Sequence, residues 1–153
     1  MSYLLDTNVL CEPTRPKPDP AVIAWLAGAD EDRLHLSAVT LAEVQRGVSR
    51  LPRGVRRERI QRWLESDILE RFGGRILPVD HSVAAQWGQI MAEAESNGRP
   101  MNSLDGFIAA TAVVMDLTLV TRNVADFEKS VSQVVNPWMI EPPRPRVGRS
   151  PDS

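Results

Sequence analysis

The chain has 153 residues, 42% of them hydrophobic and 25% charged, with a formal net charge of -2. This is the make-up of one globular domain that folds without staples, and its slight negative balance argues against a surface coated in nucleic-acid-binding cations. A single cysteine, Cys11, excludes an intramolecular disulfide and favours a reducing, cytoplasmic setting, and no apolar run approaches the roughly 20 residues that cross a bilayer.

The opening MSYLLDTNVL lacks a basic n-region and meets Asp6 early, so it is not expected to be a signal peptide. Ser2–Leu5 reads instead as a buried first strand ending at Asp6. A proline-rich loop follows, with Pro13, Pro16 and Pro18. Asp19-Pro20 then has the form of an N-cap with proline at the first helical position, and Val22, Ile23, Trp25 and Leu26 supply that helix with an apolar face. Arg33–Val39 alternates like a strand. Thr40 and Glu43, three residues apart, fit a capping box at the start of the next helix.

Gly47 and Pro52 are expected to interrupt that helix, and a long arginine-rich helix is predicted over Val55–Phe72, ended by Gly73-Gly74. Arg75–Val79 reads as a strand, and Asp80–Ser96 as a helix stopped by Asn97-Gly98. Its stripe Val83, Trp87, Ile90, Met91 and Ala94 has helical spacing and fits core packing. Asn102 or Ser103 caps a helix through Met115. Leu117–Thr121 is a strand, and Val131–Val135 supplies a short last one. Residues 1–140 form one domain, and the proline-, arginine- and serine-rich stretch 141–153 is expected to be a disordered tail. Strands alternating with helices predict an α/β fold with a mostly parallel central sheet.

Ligands of open parallel sheets bind outside the carboxyl ends of the strands. Two predicted strands switch there from apolar to polar residues, one into Asp6-Thr7-Asn8 and the other into Thr121-Arg122-Asn123. Glu43 and Asp105 each sit in a predicted first helical turn, where free N–H groups favour a carboxylate. Taken singly, Asp6 also fits a turn, Glu43 a capping box and Asp105 dipole compensation. Together they are costly unless compensated, since two unit charges 4 Å apart repel by about 4 kcal/mol at an effective dielectric near 20. Hard oxygen donors of this kind suit Mg²⁺ or Mn²⁺, and one cysteine with two scattered histidines, His35 and His81, gives little support for zinc.

Sixteen of the 18 basic residues are arginine, and seven of those lie between Arg46 and Arg62. The run fits a surface guiding phosphates, a contact for an acidic partner segment, or a solvated helix face paired with Glu58, Glu65 and Asp67. Arg122, beside the candidate rim, is the better single candidate for a phosphate contact. Trp25, Trp63 and Trp138 fit either core or a groove for a peptide-like partner.

The successive runs LLDTNVL, LAEVQRG, LDGFIAATA and LVTRNVADF resemble the motifs of PIN-domain ribonucleases, in particular the VapC and FitB group of toxin–antitoxin toxins. GRILPVD and VNPW also resemble the FitB-like members, and the likeness spans Met1–Trp138. The resemblance implies a PIN-like three-layer α/β/α sandwich and Mg²⁺-dependent cleavage of RNA, with Mn²⁺ able to substitute. It also implies a homodimer inhibited by a cognate antitoxin, with DNA reached only indirectly through that antitoxin. Asp6, Glu43 and Asp105 match three acidic metal-site positions. The fourth, often aspartate, is Asn123 here, with Asp126 nearby as a weaker candidate. Thr7 and Asn8 belong to the first motif as supporting residues.

Two other readings stay open on sequence. One is a catalytically weak PIN-fold module acting mainly within an antitoxin complex that binds DNA, which the departure at Asn123 allows. The other is a haloacid-dehalogenase-type phosphatase, which also places an aspartate after strand one. That signature needs a second aspartate where this chain has Asn8, and only Lys17 and Lys129 are available as its lysine.

Overall fold

The computed structural model describes residues 1–141. Its first apolar run forms β1 (Tyr3–Leu5), whose two-residue alternation sends Leu4 and Leu5 into separate cores on opposite faces of the sheet. The chain then enters a short helix, α1 (Thr7–Cys11), capped by Asp6. The expected loop is therefore shorter than its prolines suggest, because Val9 and Leu10 are drawn into the core. After a 3₁₀ turn at Glu12–Thr14, α2 (Pro20–Gly28) starts as expected, with Asp19 accepting from the Ala21 N–H and proline first in the helix.

The strand β2 (Leu34–Ser37) stops two residues sooner than predicted, and α3 (Ala38–Ser49) starts at once. Its cap is Ser37, which accepts from the Val39 N–H at 3.0 Å, and not Thr40. Thr40 is wholly buried within the helix, and Glu43 falls in the second turn, outside any capping box. Gly47 does not interrupt α3, because Val44 and Val48 on either side of it are buried one turn apart.

The predicted arginine-rich helix comprises α4 (Val55–Arg62), a π-helical stretch (Trp63–Ile68) and α5 (Leu69–Phe72). Leu64, Ile68 and Phe72 recur every four residues and are all buried. Wider i→i+5 winding holds such a spacing on one line better than regular α-helix does. Gly73, with φ +36, ends the helix. A two-residue strand β3 (Ile76–Leu77) follows, then α6 (His81–Ser96) capped by Asp80, α7 (Ser103–Val114) capped by Asn102, and β4 (Thr118–Val120). A four-residue helix, α8 (Val124–Phe127), absent from the sequence expectation, precedes β5 (Val134–Val135) and a 3₁₀ turn at Pro137–Met139.

The five strands pair in parallel in the order β3-β2-β1-β4-β5. One face packs Leu4 and Leu119 with Val83, Ile90, Ile108 and Phe127 from α6, α7 and α8. The other packs Leu5, Leu34, Leu36 and Val120 with residues of α1, α2, α3 and the π-containing helix. This is the expected three-layer α/β/α sandwich. Trp25, Trp63 and Trp138 are half-buried against the second core, and Val83 and Ile90 of the α6 stripe are buried in the first. The order in which strands are added reverses across β1, with β2 on one side and β4 on the other, so the ligand-binding switch point lies where β1 and β4 end. The expected disordered tail lies outside the described residues, apart from Glu141. Among the described residues, no helix is long and apolar enough to cross a membrane.

Candidate active site

Asp6 follows the last residue of β1, and Thr121 follows the last residue of the neighbouring β4. The Asp6 carboxylate accepts the Thr7 N–H at 2.8 Å on Oδ1 and the Thr121 hydroxyl at 2.8 Å on Oδ2. Asn8 Nδ2 reaches the same Oδ2 at 3.5 Å and Thr121 Oγ1 at 3.4 Å. Thr121 Oγ1 also accepts the Asn123 N–H at 3.0 Å, and Asn8 Oδ1 accepts the Arg122 N–H at 3.3 Å. Asp6 is only 5% exposed, and burial pushes its pKa up against the lowering effect of Thr121 and Thr7.

Glu43 comes to the rim from α3 and Asp105 from the first turn of α7. Burial raises the pKa of each, and the charge of Asp6 raises both further. Asp105 is pushed up to about 6. Asp105 also raises Glu43, so these three predicted acids lie within electrostatic reach of one another. Asp126, on α8, bears on both Asp6 and Asp105. The structure thus brings Asp126 to the cluster by its charge, while Asn123 is tied in through its backbone N–H.

Neighbouring acids held at raised pKa values, one of them buried, are characteristic of functional sites. Thr7 sits close enough to favour ionised Glu43, yet neither Thr7 Oγ1 nor Glu43 Oε1 has a hydrogen-bond partner, and both are buried. An orphaned carboxylate oxygen among hard oxygen donors fits a hard divalent cation. Among the described residues, no three His, Cys, Asp or Glu side chains close on a common point tightly enough to enclose an ion alone. Waters would complete the shell of an ion held here, as Mg²⁺ ordinarily requires. His35 does not contribute, because its Nδ1 lies against the Tyr3 and Arg33 carbonyls, away from the strand ends that carry the acids. Cys11 is not primed as a thiolate: burial, then Glu43 and Asp6, push its thiol up to about 11.

Arg46 acts on the cluster by its charge, and Arg122 joins the rim through its backbone N–H. Arg46 is the member of the arginine run whose charge favours ionised Glu43. The guanidinium of Arg122 lies over the Trp138 ring, 5.3 Å from its centroid. Asn136 braces this pair by donating to the Arg122 carbonyl and accepting from the Trp138 N–H at 3.0 Å. Glu58, Glu65 and Asp67 form no salt bridge with the arginine run among the described residues, so the paired-face reading finds no support in ion pairs. Thr121, which the sequence places on the rim without a role, is the support of Asp6, and its position at the end of the strand beside β1 was the available signal.

The PIN domain family model matches residues 3–129. The chain is 44% identical over 135 residues to the toxin FitB of Neisseria gonorrhoeae, covering 88% of this chain and 97% of that protein. It is 38% identical to a VapC ribonuclease of Sinorhizobium fredii, over 88% of this chain and 96% of that one. The structure of FitAB bound to an IR36 DNA fragment superposes with a TM-score of 0.85 at 42% identity, covering 91% of this chain and 97% of that chain. The chain belongs to the PIN-domain family.

Proposed function

From that membership we propose that the chain is a divalent-metal-dependent endoribonuclease, the toxin of a toxin–antitoxin pair, with Asp6, Glu43 and Asp105 as its metal-holding carboxylates. The observation that carries this reading is the buried, unpartnered Glu43 Oε1, which shares a strand-end rim with two further acids of raised pKa. The name of the Sinorhizobium relative supports ribonuclease chemistry, and that of the Neisseria relative supports a toxin role. The FitAB–DNA complex supports a partner protein through which DNA is reached. Mg²⁺ is the expected ion, with Mn²⁺ as substitute, and a cytoplasmic homodimer is the expected form.

A bound divalent cation would supply an activated water and neutralise charge on the phosphate. The chain's own residues prepare the place. Thr121 and the Thr7 N–H fix both oxygens of Asp6, so that it is oriented before any ligand arrives. Glu43 offers a buried oxygen and Asp105 a carboxylate that gives up its proton near pH 6. Asp126 adds charge, Asn8 ties the start of α1 to the loop after β4, and the Asn123 N–H closes that loop on Thr121. Arg122, stacked on Trp138, is the proposed contact for a substrate phosphate.

The test is cleavage of a panel of structured and unstructured RNAs by wild type and Asp6→Asn, with Mg²⁺, Mn²⁺ or EDTA. Cleavage that disappears both in EDTA and in the variant supports the reading. A folded wild type that cuts no RNA with either metal favours the second reading, a PIN-fold module acting within a DNA-binding complex. That reading draws on Asn123 at the fourth position and on the DNA-bound relative. Family membership displaces the phosphatase alternative.

A further inference from the structure

The turn VNPW, which the sequence singles out without a role, meets the active rim from the β5 side. The Thr121 N–H donates to the Val135 carbonyl at 2.9 Å, so the residue before Arg122 is paired with the residue before Asn136. Asn136 then accepts the Trp138 N–H at 3.0 Å and donates to the Arg122 carbonyl at 3.4 Å. Pro137 is buried and Trp138 packs half-buried on the second core, which fixes the ring. Over that ring lies the Arg122 guanidinium, 5.3 Å from the centroid and within cation–π range.

Arg122 is a hazard to the site it borders. Its N–H donates to Asn8 Oδ1, and Asn8 Nδ2 reaches Asp6 Oδ2, so its main chain stands two hydrogen bonds from the Asp6 carboxylate. Its side chain is exposed and long enough to cover that distance. A guanidinium turned inward would pair with carboxylate oxygens, which it binds well, and those are the oxygens a divalent cation needs. Yet Arg122 forms no salt bridge among the described residues, and the charges that act on Asp6, Glu43 and Asp105 do not include it. We propose that Trp138 and Asn136 are positioning residues that hold Arg122 off the acids and so keep the carboxylates open for a divalent cation. The inference rests on the metal-site reading above and deepens it. Stacking compensates the guanidinium for the ion pair it forgoes, and it leaves the N–H donors on the guanidinium edge free for a phosphate. Neither positioning residue touches the ion; both act through Arg122.

The experiment measures Mn²⁺ affinity by calorimetry, and metal-free melting temperature, for wild type, Trp138→Leu, Arg122→Gln and the double variant. Trp138→Leu should bind Mn²⁺ about three- to fivefold more weakly, the worth of one exposed cation–π contact. Arg122→Gln has no charge to turn inward and should bind at least as well as wild type. The double variant should regain the affinity of Arg122→Gln, whatever stability is lost with the tryptophan, since a merely structural loss cannot be repaired by removing an arginine. Asn136→Ala leaves the core packed and should show a smaller loss with the same rescue; it carries the test if Trp138→Leu melts too low to load. Wild-type affinity in both Trp138→Leu and Asn136→Ala, or a loss that Arg122→Gln does not restore, overturns the clamp. A folded wild type that binds no Mn²⁺ defeats the metal reading itself, and the inference falls with it.

Discussion

Thr121 donates its hydroxyl to Asp6 at 2.8 Å across the boundary between two neighbouring parallel strands, and it is wholly buried where it does so. The bond makes β4 the support of the acid that β1 presents. Since it lowers the Asp6 pKa against burial, Thr121→Val should raise that pKa further and weaken Mn²⁺ binding. Removing the donor from a buried carboxylate should also cost about 1–3 kcal/mol of stability. Thr121→Ser, which keeps the hydroxyl, should restore most of both. Thermal melts with and without Mn²⁺ on the three proteins read the two effects separately. A valine variant with wild-type metal response would remove Thr121 from the site.

The raised pKa of Asp105 sets a pH window. Its ordinary value of 3.8 is pushed up to about 6 by burial, then by Asp6 and Asp126. Between about pH 4 and pH 6 the folded metal-free protein therefore holds a proton on Asp105 that the unfolded chain has released. Stability contributed by the protonated form is complete below the lower value and is lost as pH rises through the upper one. A divalent cation competes with that proton, so the melting-temperature gain from Mn²⁺ should be small at pH 5 and grow through pH 7. Asp105→Asn should remove this part of the pH dependence of the metal-free protein and reduce the gain. An unaltered pH profile in the variant would assign the titration elsewhere.

Much of this arrangement could be read from the chain alone. Asp6 stands where the first strand turns from apolar to polar, Glu43 and Asp105 stood out in predicted first helical turns, and the alternation of strands and helices sufficed for an α/β fold with a parallel sheet. What escaped was either too short or too distant. The helices α1 and α8 span five and four residues, fewer than a periodicity needs to declare itself. The cap of α3 went to Ser37 because β2 ends there, paired through Leu36 and Ser37 to β3, a tertiary fact that no local pattern announces. The Thr121–Asp6 bond joins residues 115 apart in sequence. The charge of Asp126 likewise reaches Asp6 and Asp105 only through the tertiary placement of α8.

Asp126 and Asn123 now make distinguishable claims on the fourth acidic position. Asp126 raises the pKa of both Asp6 and Asp105, whereas Asn123 touches the network through its main-chain N–H. Asp126→Asn should therefore lower the Asp105 pKa and cut Mn²⁺ affinity several-fold, the loss being limited because Asp126 is exposed. Asn123→Ala should change Asp105 titration little. Calorimetric Mn²⁺ titrations of both variants, with carboxyl titration followed by NMR, decide between them. A larger loss of affinity in Asn123→Ala would return the position to Asn123.

Gly106 tests how tightly the site depends on helix packing. It follows Asp105 in α7, and a Cβ placed on it would stand 2.7 Å from Met91 Sδ and 2.9 Å from Trp87 Nε1 of α6. Met91 can swing its flexible end away. Trp87 cannot readily do so, because its Nε1–H donates to the Ser103 carbonyl at 3.0 Å and its ring stacks on Phe107 with centroids 4.9 Å apart. Gly106→Ala should accordingly force α6 and α7 apart or break the Trp87 bond, at about 1–3 kcal/mol for overpacking. Alanine's better helix propensity offsets at most about 1 kcal/mol of that. Because Asp105 is the adjacent residue, the variant should also lose Mn²⁺ response beyond its loss of stability. Adding Met91→Ala should recover part of the stability and little of the metal response, since Trp87 remains in the way. Chemical denaturation of the single and double variants measures the first effect, and Mn²⁺-dependent melting the second. A Gly106→Ala protein as stable as wild type would show that α6 and α7 are free to separate, and that Asp105 owes its position to its own helix alone.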